Sequence, residues 1–198
     1  MLKKTLIASA IAAGTLASLG AQAQSTSPVR DNGFSYTYGQ FGYDRWDYDH
    51  GPDVDVITGE GSFALDEHLF LRGGLSFYDG DYDSPGSDDV DGNRLYVGAG
   101  FHTPLQRGLD LVGTADVIRD DNDFNDDEWG FALRGGLRHQ TTDNLQLSGG
   151  VLYEDLYDDN FGLYGQGLVQ LNRAWDVGAR VSFTDDTDTI GLFGRYNF

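Results

Sequence analysis

The chain has 198 residues, with 32 acidic side chains against 13 lysines and arginines, and a formal charge of −19. That balance argues against a nucleic-acid partner, whose phosphates it would repel. The complete absence of cysteine removes disulfide and thiolate chemistry. Disorder would fit the high charge and glycine, but tyrosine, phenylalanine and leucine are too abundant and too regularly placed for it.

Residues 1–23 read as a secretory signal. Lys3 and Lys4 form a charged start, Leu6 to Leu19 is an apolar run of small residues, and Ala21-Gln22-Ala23 is an A-x-A cleavage site. The run is shorter than the roughly 20 apolar residues of a spanning helix. The mature chain is expected to begin at Gln24, with 24–33 a short polar lead-in and 34–198 a single domain.

From there the sequence divides into segments of period 2. They are expected at 34–43, 54–65, 69–78, 94–103, 109–118, 129–140, 145–154, 161–171, 175–184 and 189–198. The third puts Leu69, Leu71, Gly73, Leu75 and Phe77 on one face, and Phe70, Arg72, Gly74, Ser76 and Tyr78 on the other. The ninth opposes Trp175, Val177, Ala179, Val181 and Phe183 to Asp176, Arg180 and Ser182. Connections after the even-numbered segments are tight, as at Asp66-Glu67-His68. Those after the odd-numbered ones are mostly longer and crowded with aspartate, as at 44–53, 79–93 and 119–128. Aromatic residues gather near segment ends: Tyr43, Trp46, Tyr78, Trp129 and Tyr153 toward the long loops, and Phe34, Phe70, Phe101, Trp175, Tyr196 and Phe198 toward the short turns. Two aromatic girdles, strands of about 9–11 residues and loops of unequal length fit an antiparallel, up-and-down transmembrane β-barrel. Alternation alone also fits a soluble β-sandwich or a lipocalin-like barrel, in which the apolar faces would point inward.

The last segment, Thr189 to Phe198, ends the chain on an apolar face of Ile190, Leu192, Gly194, Tyr196 and Phe198. With the opening Phe34-Ser35-Tyr36-Thr37-Tyr38 and the tight turns, it resembles the small outer-membrane β-barrel proteins of Gram-negative bacteria, of the OmpX and OmpA-membrane-domain type and the small exported barrels of xanthomonads. The resemblance implies a bacterial outer-membrane location with the short turns in the periplasm. It also implies contact with outer-membrane lipid and lipopolysaccharide, and a terminal strand, marked by Tyr196 and Phe198, that the barrel-assembly machinery reads. Relatives of this kind usually have eight strands. The segment count here favours ten, with eight as the alternative.

If the apolar face meets lipid, parity places Glu60, Asp110, Asp116, Glu154 and Asp176 inside with Arg72, Arg94, Arg134, Arg138, Arg180, Arg195 and His102. Gln40 is placed inward as well. Isolated charges there would be costly, so pairing across the lumen is expected, above all between Glu60 and Arg72. Such a network either fixes the register of a filled barrel or lines an ion path. The first is favoured, because side chains largely fill a narrow barrel.

The loops carry a second constellation: Asp79, Asp81, Asp83, Asp88, Asp89 and Asp91, then Asp120, Asp121, Asp123, Asp126, Asp127 and Glu128, then Asp185, Asp186 and Asp188. Asp79, Asp81, Asp83, Asp121, Asp123 and Asp126 are candidate oxygen ligands for weakly held Ca²⁺ or Mg²⁺. Asp79-x-Asp81-x-Asp83 departs from an EF-hand loop at Ser84 and Val90, so a solvated, repulsive surface is the simpler reading. No other cofactor is expected. Nor is an enzyme: His102 precedes Thr103-Pro104, His139 precedes Gln140-Thr141, His68 falls in a turn, and the acids around His50 match no omptin-type motif. The expected role is structural or surface-interactive, in envelope integrity, adhesion or stress resistance. A narrow channel for small solutes or cations and a divalent-cation-binding surface are the alternatives.

Overall fold

The computed structural model describes residues 33–48, 53–81, 90–122 and 127–198. The expected signal segment and nearly all of the lead-in lie outside them. So do His50, Asp83, Asp88, Asp89, Asp123 and Asp126.

Ten strands form: β1 (Tyr38–Tyr48), β2 (Asp53–Ala64), β3 (Leu69–Asp81), β4 (Val90–Gln106), β5 (Leu109–Asn122), β6 (Glu128–Thr142), β7 (Leu145–Asp155), β8 (Asp159–Gln170), β9 (Trp175–Thr184) and β10 (Thr187–Asn197). Each pairs antiparallel with its sequence neighbour, and β1 closes on β10, so the sheet has no free edge. Tyr38 lies opposite both Asn197 and Ser62, which sets the seam. The count is ten rather than eight.

The strands outrun the expected segments at the long-loop end. Asp79 pairs with Asp91, Gly80 with Val90, and Arg94 with Asp120, so acids expected in loops stand on the sheet. Aspartate is a poor strand former in isolation, but here the ladder is extended by neighbours already in register. The first strand moves the other way. Residues 34–37 lie before β1 instead of opening it, because Phe34 and Tyr36 turn into the barrel and leave the wall.

At the opposite end the turns are short and locally specified. The Asp66 carboxylate accepts the backbone N–H of His68 at 2.7 Å and of Leu69 at 2.8 Å. Asn172 does the same for Ala174 and Trp175 at 2.9 and 3.0 Å. Such side-chain caps mimic a backbone turn. Gly108 has φ of +74°, the left-handed geometry that its tight turn requires. The ladder shifts register between Pro104 and Gln106, where proline has no N–H to offer.

Side chains are sorted opposite to a soluble protein. Phe41 is 65% exposed and Leu192 66%, and Leu71, Val97, Trp129, Leu163 and Ile190 stand out likewise around the circumference. Asp44, Asp110, Asp116, Asp120, Asp176, Arg138 and Arg195 are buried. A continuous apolar belt of this extent is untenable in water. In a bilayer each large side chain regains roughly 1.5–3 kcal/mol of transfer free energy, and ladder closure leaves no strand-edge backbone group facing lipid. The soluble alternatives, with apolar faces inward, are therefore overturned.

The girdle assignment needs correction at four positions. Tyr43, Trp129, Phe101 and Trp175 do face outward. Phe34 and Phe70 are buried inside, and Trp46 and Tyr78 line the lumen. Strand parity overrides proximity to a strand end. Phe70 fits inside because its ring occupies the place that a side chain at residue 100 would take, and Gly100 leaves that place empty. Tyr96 lies across Gly74 in the same way, with its Cε1 2.6 Å from where a Cβ would stand.

Candidate functional site: the charged lumen

The interior holds a cavity of about 720 Å³, bounded by the side chains of every strand. The twelve charged residues assigned inward by parity all face it or are buried around it. Their contacts fall into three tiers.

The lowest tier lies at the short-turn end and is built around residues 33–37. Phe34 is fully buried and Tyr36 nearly so. Tyr36 donates its hydroxyl to Asp110 at 2.9 Å, and its ring stacks on His102 at 3.8 Å between centroids and on Phe70 at 5.1 Å. The His102 Nδ1 lies 3.5 Å from the Asp110 carboxylate. Arg138 spans the tier. It donates to the Ser35 carbonyl at 3.2 Å and to Gln146 at 2.7 Å, and its guanidinium lies 4.7 Å from the Phe34 ring and 5.1 Å from the Tyr36 ring. The segment before β1 therefore reaches across the lumen to β5 and β6, on the far side of the barrel. Cation–π contact and aromatic stacking hold it without needing a strand partner.

The middle tier contains the expected Glu60–Arg72 contact, at 3.4 Å. Glu60 also accepts Tyr38 at 2.8 Å and the hydroxyl of Tyr96. Arg72 donates to Tyr96 at 3.0 Å and approaches Asp116 at 3.5 Å. Arg195 covers the Tyr38 ring at 3.9 Å and donates twice to Gln40, at 2.7 and 2.9 Å. Asp176 accepts Asn197 at 2.7 Å.

In the upper tier Arg94 bridges Asp120 at 2.7 Å and Glu154 at 3.0 Å, and lies 4.9 Å from the Trp46 ring. Asp120 also accepts Tyr78 and Tyr157. Arg180 forks onto both oxygens of Asp44, through Nε at 2.6 Å and through Nη2. Bidentate pairing of this kind fixes direction as well as charge. Arg134 lines the cavity without an ion-pair or hydrogen-bond partner among the described residues.

Sequence reasoning missed Asp44 and Asp120, which it counted with the loops, and the tyrosines that join the charges. Parity carried the signal: Asp44 shares a face with Gln40, and Asp120 with Asp116. Of the candidate metal ligands, Asp79 stands opposite Asp55 and Asp91 in the sheet, and Asp121 lies 3.9 Å from Arg119. Asp81 belongs to β3. No group of three or more metal-type side chains forms among the described residues. Tyr196 packs edge-on against Trp175 and Phe198, at 5.1 and 5.0 Å between centroids, and the Phe198 N–H donates to the Thr37 carbonyl at 3.3 Å.

The family description "Outer membrane protein beta-barrel domain" matches residues 9–183. The chain belongs to this family. Its location is accordingly the bacterial outer membrane. No curated protein sequence is similar enough to be matched. Among solved structures, this outer-membrane barrel is similar to the beta domain of the Bordetella autotransporter Brka, with a TM-score of 0.53 at 12% identity, covering 81% of this chain and 98% of that one. It is also similar to the translocator domain of the autotransporter NalP from Neisseria meningitidis, with a TM-score of 0.51 at 14% identity over 96% and 98%. The KdgM porin, solved in complex with disordered oligogalacturonate, gives a TM-score of 0.50 at 9% identity over 80% and 99%. At these identities the likeness is one of fold.

Proposed function

We propose that this protein is a closed, non-catalytic outer-membrane barrel with a structural or surface-interactive role, and that its lumen is a dead end rather than a pore. The observation that carries this reading is the stopper: Phe34 and Tyr36, clamped by Arg138, His102 and Phe70, fill the short-turn end, which is periplasmic in outer-membrane barrels. The paired charges above them support the same reading, because a network of ion pairs and hydrogen bonds across the lumen fixes register and rigidifies a narrow barrel. The acidic rim outside then serves as the surface presented to lipopolysaccharide and to other cells, and the terminal strand with Tyr196 and Phe198 as the segment handled during membrane insertion.

Planar-bilayer conductance tests it. The refolded wild-type barrel is expected to be silent, and Phe34→Ala with Tyr36→Ala is expected to open measurable steps. Steady wild-type conductance would replace this reading with that of a narrow channel.

A further inference from the structure

The lipid-facing wall is not uniformly convex. A furrow of about 730 Å³ crosses β1, β10, β9 and β8 and ends at the start of β7. Cross-strand register builds it. One outward row runs Phe41, Gly194, Val177, Val169 and Leu145, each opposite the next. The row above it runs Tyr43, Leu192, Ala179 and Gly167. Large side chains stand along its edges, while Gly194, Ala179 and Gly167 leave the sheet low between them. A Cβ at Gly194 would meet no atom within 4 Å, so the space over it is open.

Length and polarity restrict what fills this furrow. Five strands at about 4.8 Å spacing make it about 19 Å long. That is well short of the roughly 30 Å hydrocarbon core that a partner's membrane helix would cross, and close to the ~15 Å of one leaflet. The convex wall of a second barrel does not enter a trough. A single acyl chain suits both its length and its apolar walls.

Charge selects the leaflet. At the outer end the Tyr43 hydroxyl donates to Asp55 at 2.7 Å, and Arg45 is already bound to Asp53. Asp47 and Asp188 face each other across β1 and β10 there. Lipid phosphates would meet carboxylates at this end. At the other end the Gln170 N–H donates to the Asn144 carbonyl at 2.8 Å, which brings two short turns together. Arg173 is exposed on one of these turns, against the single acid Asp143 on the other. A guanidinium at this level suits a phosphate.

We propose that the furrow binds one glycerophospholipid of the periplasmic leaflet, with an acyl chain laid across Gly194, Ala179 and Gly167 and its phosphate on Arg173. The site lies on the outside of the barrel and does not depend on whether the lumen is closed.

Native mass spectrometry tests it. The barrel is refolded in vesicles of phosphatidylethanolamine and phosphatidylglycerol with lipopolysaccharide present, then exchanged into mild detergent to strip loosely associated lipid. Retention of one phospholipid per barrel is expected. Ala179→Phe combined with Gly167→Leu, which fills the trough, is expected to cut the retained fraction at least fivefold, and Arg173→Gln severalfold. Ala115→Phe, outward on β5, is expected to keep it. Heat-modifiable gel mobility verifies that each variant is folded. No retained phospholipid, equal retention by the filled variant, or equal loss in Ala115→Phe overturns the site. Retention of lipopolysaccharide in its place, or indifference to Arg173→Gln, overturns the assignment to the periplasmic leaflet.

Discussion

Glu60 illustrates what a single charge does in this lumen. It is held by Arg72, Tyr38 and Tyr96 at once, so its removal leaves a guanidinium with less compensation and two hydroxyls without an acceptor. Glu60→Ala is expected to destabilise the barrel by about 3 kcal/mol, the scale for breaking a buried pair from one side. Replacing Arg72 by Met in the same chain should recover a large part of that loss, since the unpaired charge is then gone too. Urea unfolding from lipid vesicles, run as a double-mutant cycle, measures both. Equal and additive losses would mean that Glu60 and Arg72 do not act as a pair.

The hairpins add constraints of their own at the scale of the element. In the β2–β3 turn, two backbone N–H donors, of His68 and Leu69, hold the Asp66 carboxyl below the usual carboxylate range. A carboxyl lowered in this way stabilises the fold above its unfolded value, near 3.9. The contribution is lost as pH falls through the lower, folded value. Stability relative to Asp66→Asn should therefore decline on acidification below about pH 4. A pH-independent difference, read from thermal mobility shifts, would remove the turn from this account. The β3–β4 pair makes a separate demand. Phe70 occupies the space over Gly100, so Gly100→Ala should cost about 1–3 kcal/mol by overpacking. Phe70→Ala in the same chain should relieve that strain, giving a double variant more stable than the two single losses predict.

The whole molecule is an inverted protein: charges and tyrosines inside, apolar side chains outside, and a ladder that closes through β1 and β10. Its closure makes a compact, detergent-resistant species the expected state. The unheated chain should migrate differently from the heated one on a denaturing gel, and a single band at both temperatures would contradict the closed ladder. The stopper acts at this scale as well, because it joins the segment before β1 to β5 and β6 across the barrel. Arg138→Ala, which removes the bond to Ser35 and the cation over both rings, should raise hydrogen exchange in residues 34–37 before it affects the strands. Uniform exchange throughout the barrel would show that the stopper has no independent stability.

The sequence by itself determined the period-2 segments and the two faces of each, while closure of the ladder and the exposed apolar belt decided that there are ten strands and that the charged face lies inside. The segments and their faces follow from a period of 2 that is local and leaves only two possible sides for every residue. Even Asp44 and Asp120 were legible by parity once strand lengths were known. Where those strands ended was not legible, because the ladder beyond Tyr78 and Ile118 is held by partners distant in sequence. Nor was the fate of Phe34 and Tyr36. Their shared parity with Gln40 points them inward, but only the closed barrel brings Asp110, His102 and Arg138 within reach of them and takes residues 34–37 off the ladder. The tertiary structure likewise decided which lumen charges are paired. Pairing depends on distances across the barrel, and strand periodicity carries no information about those.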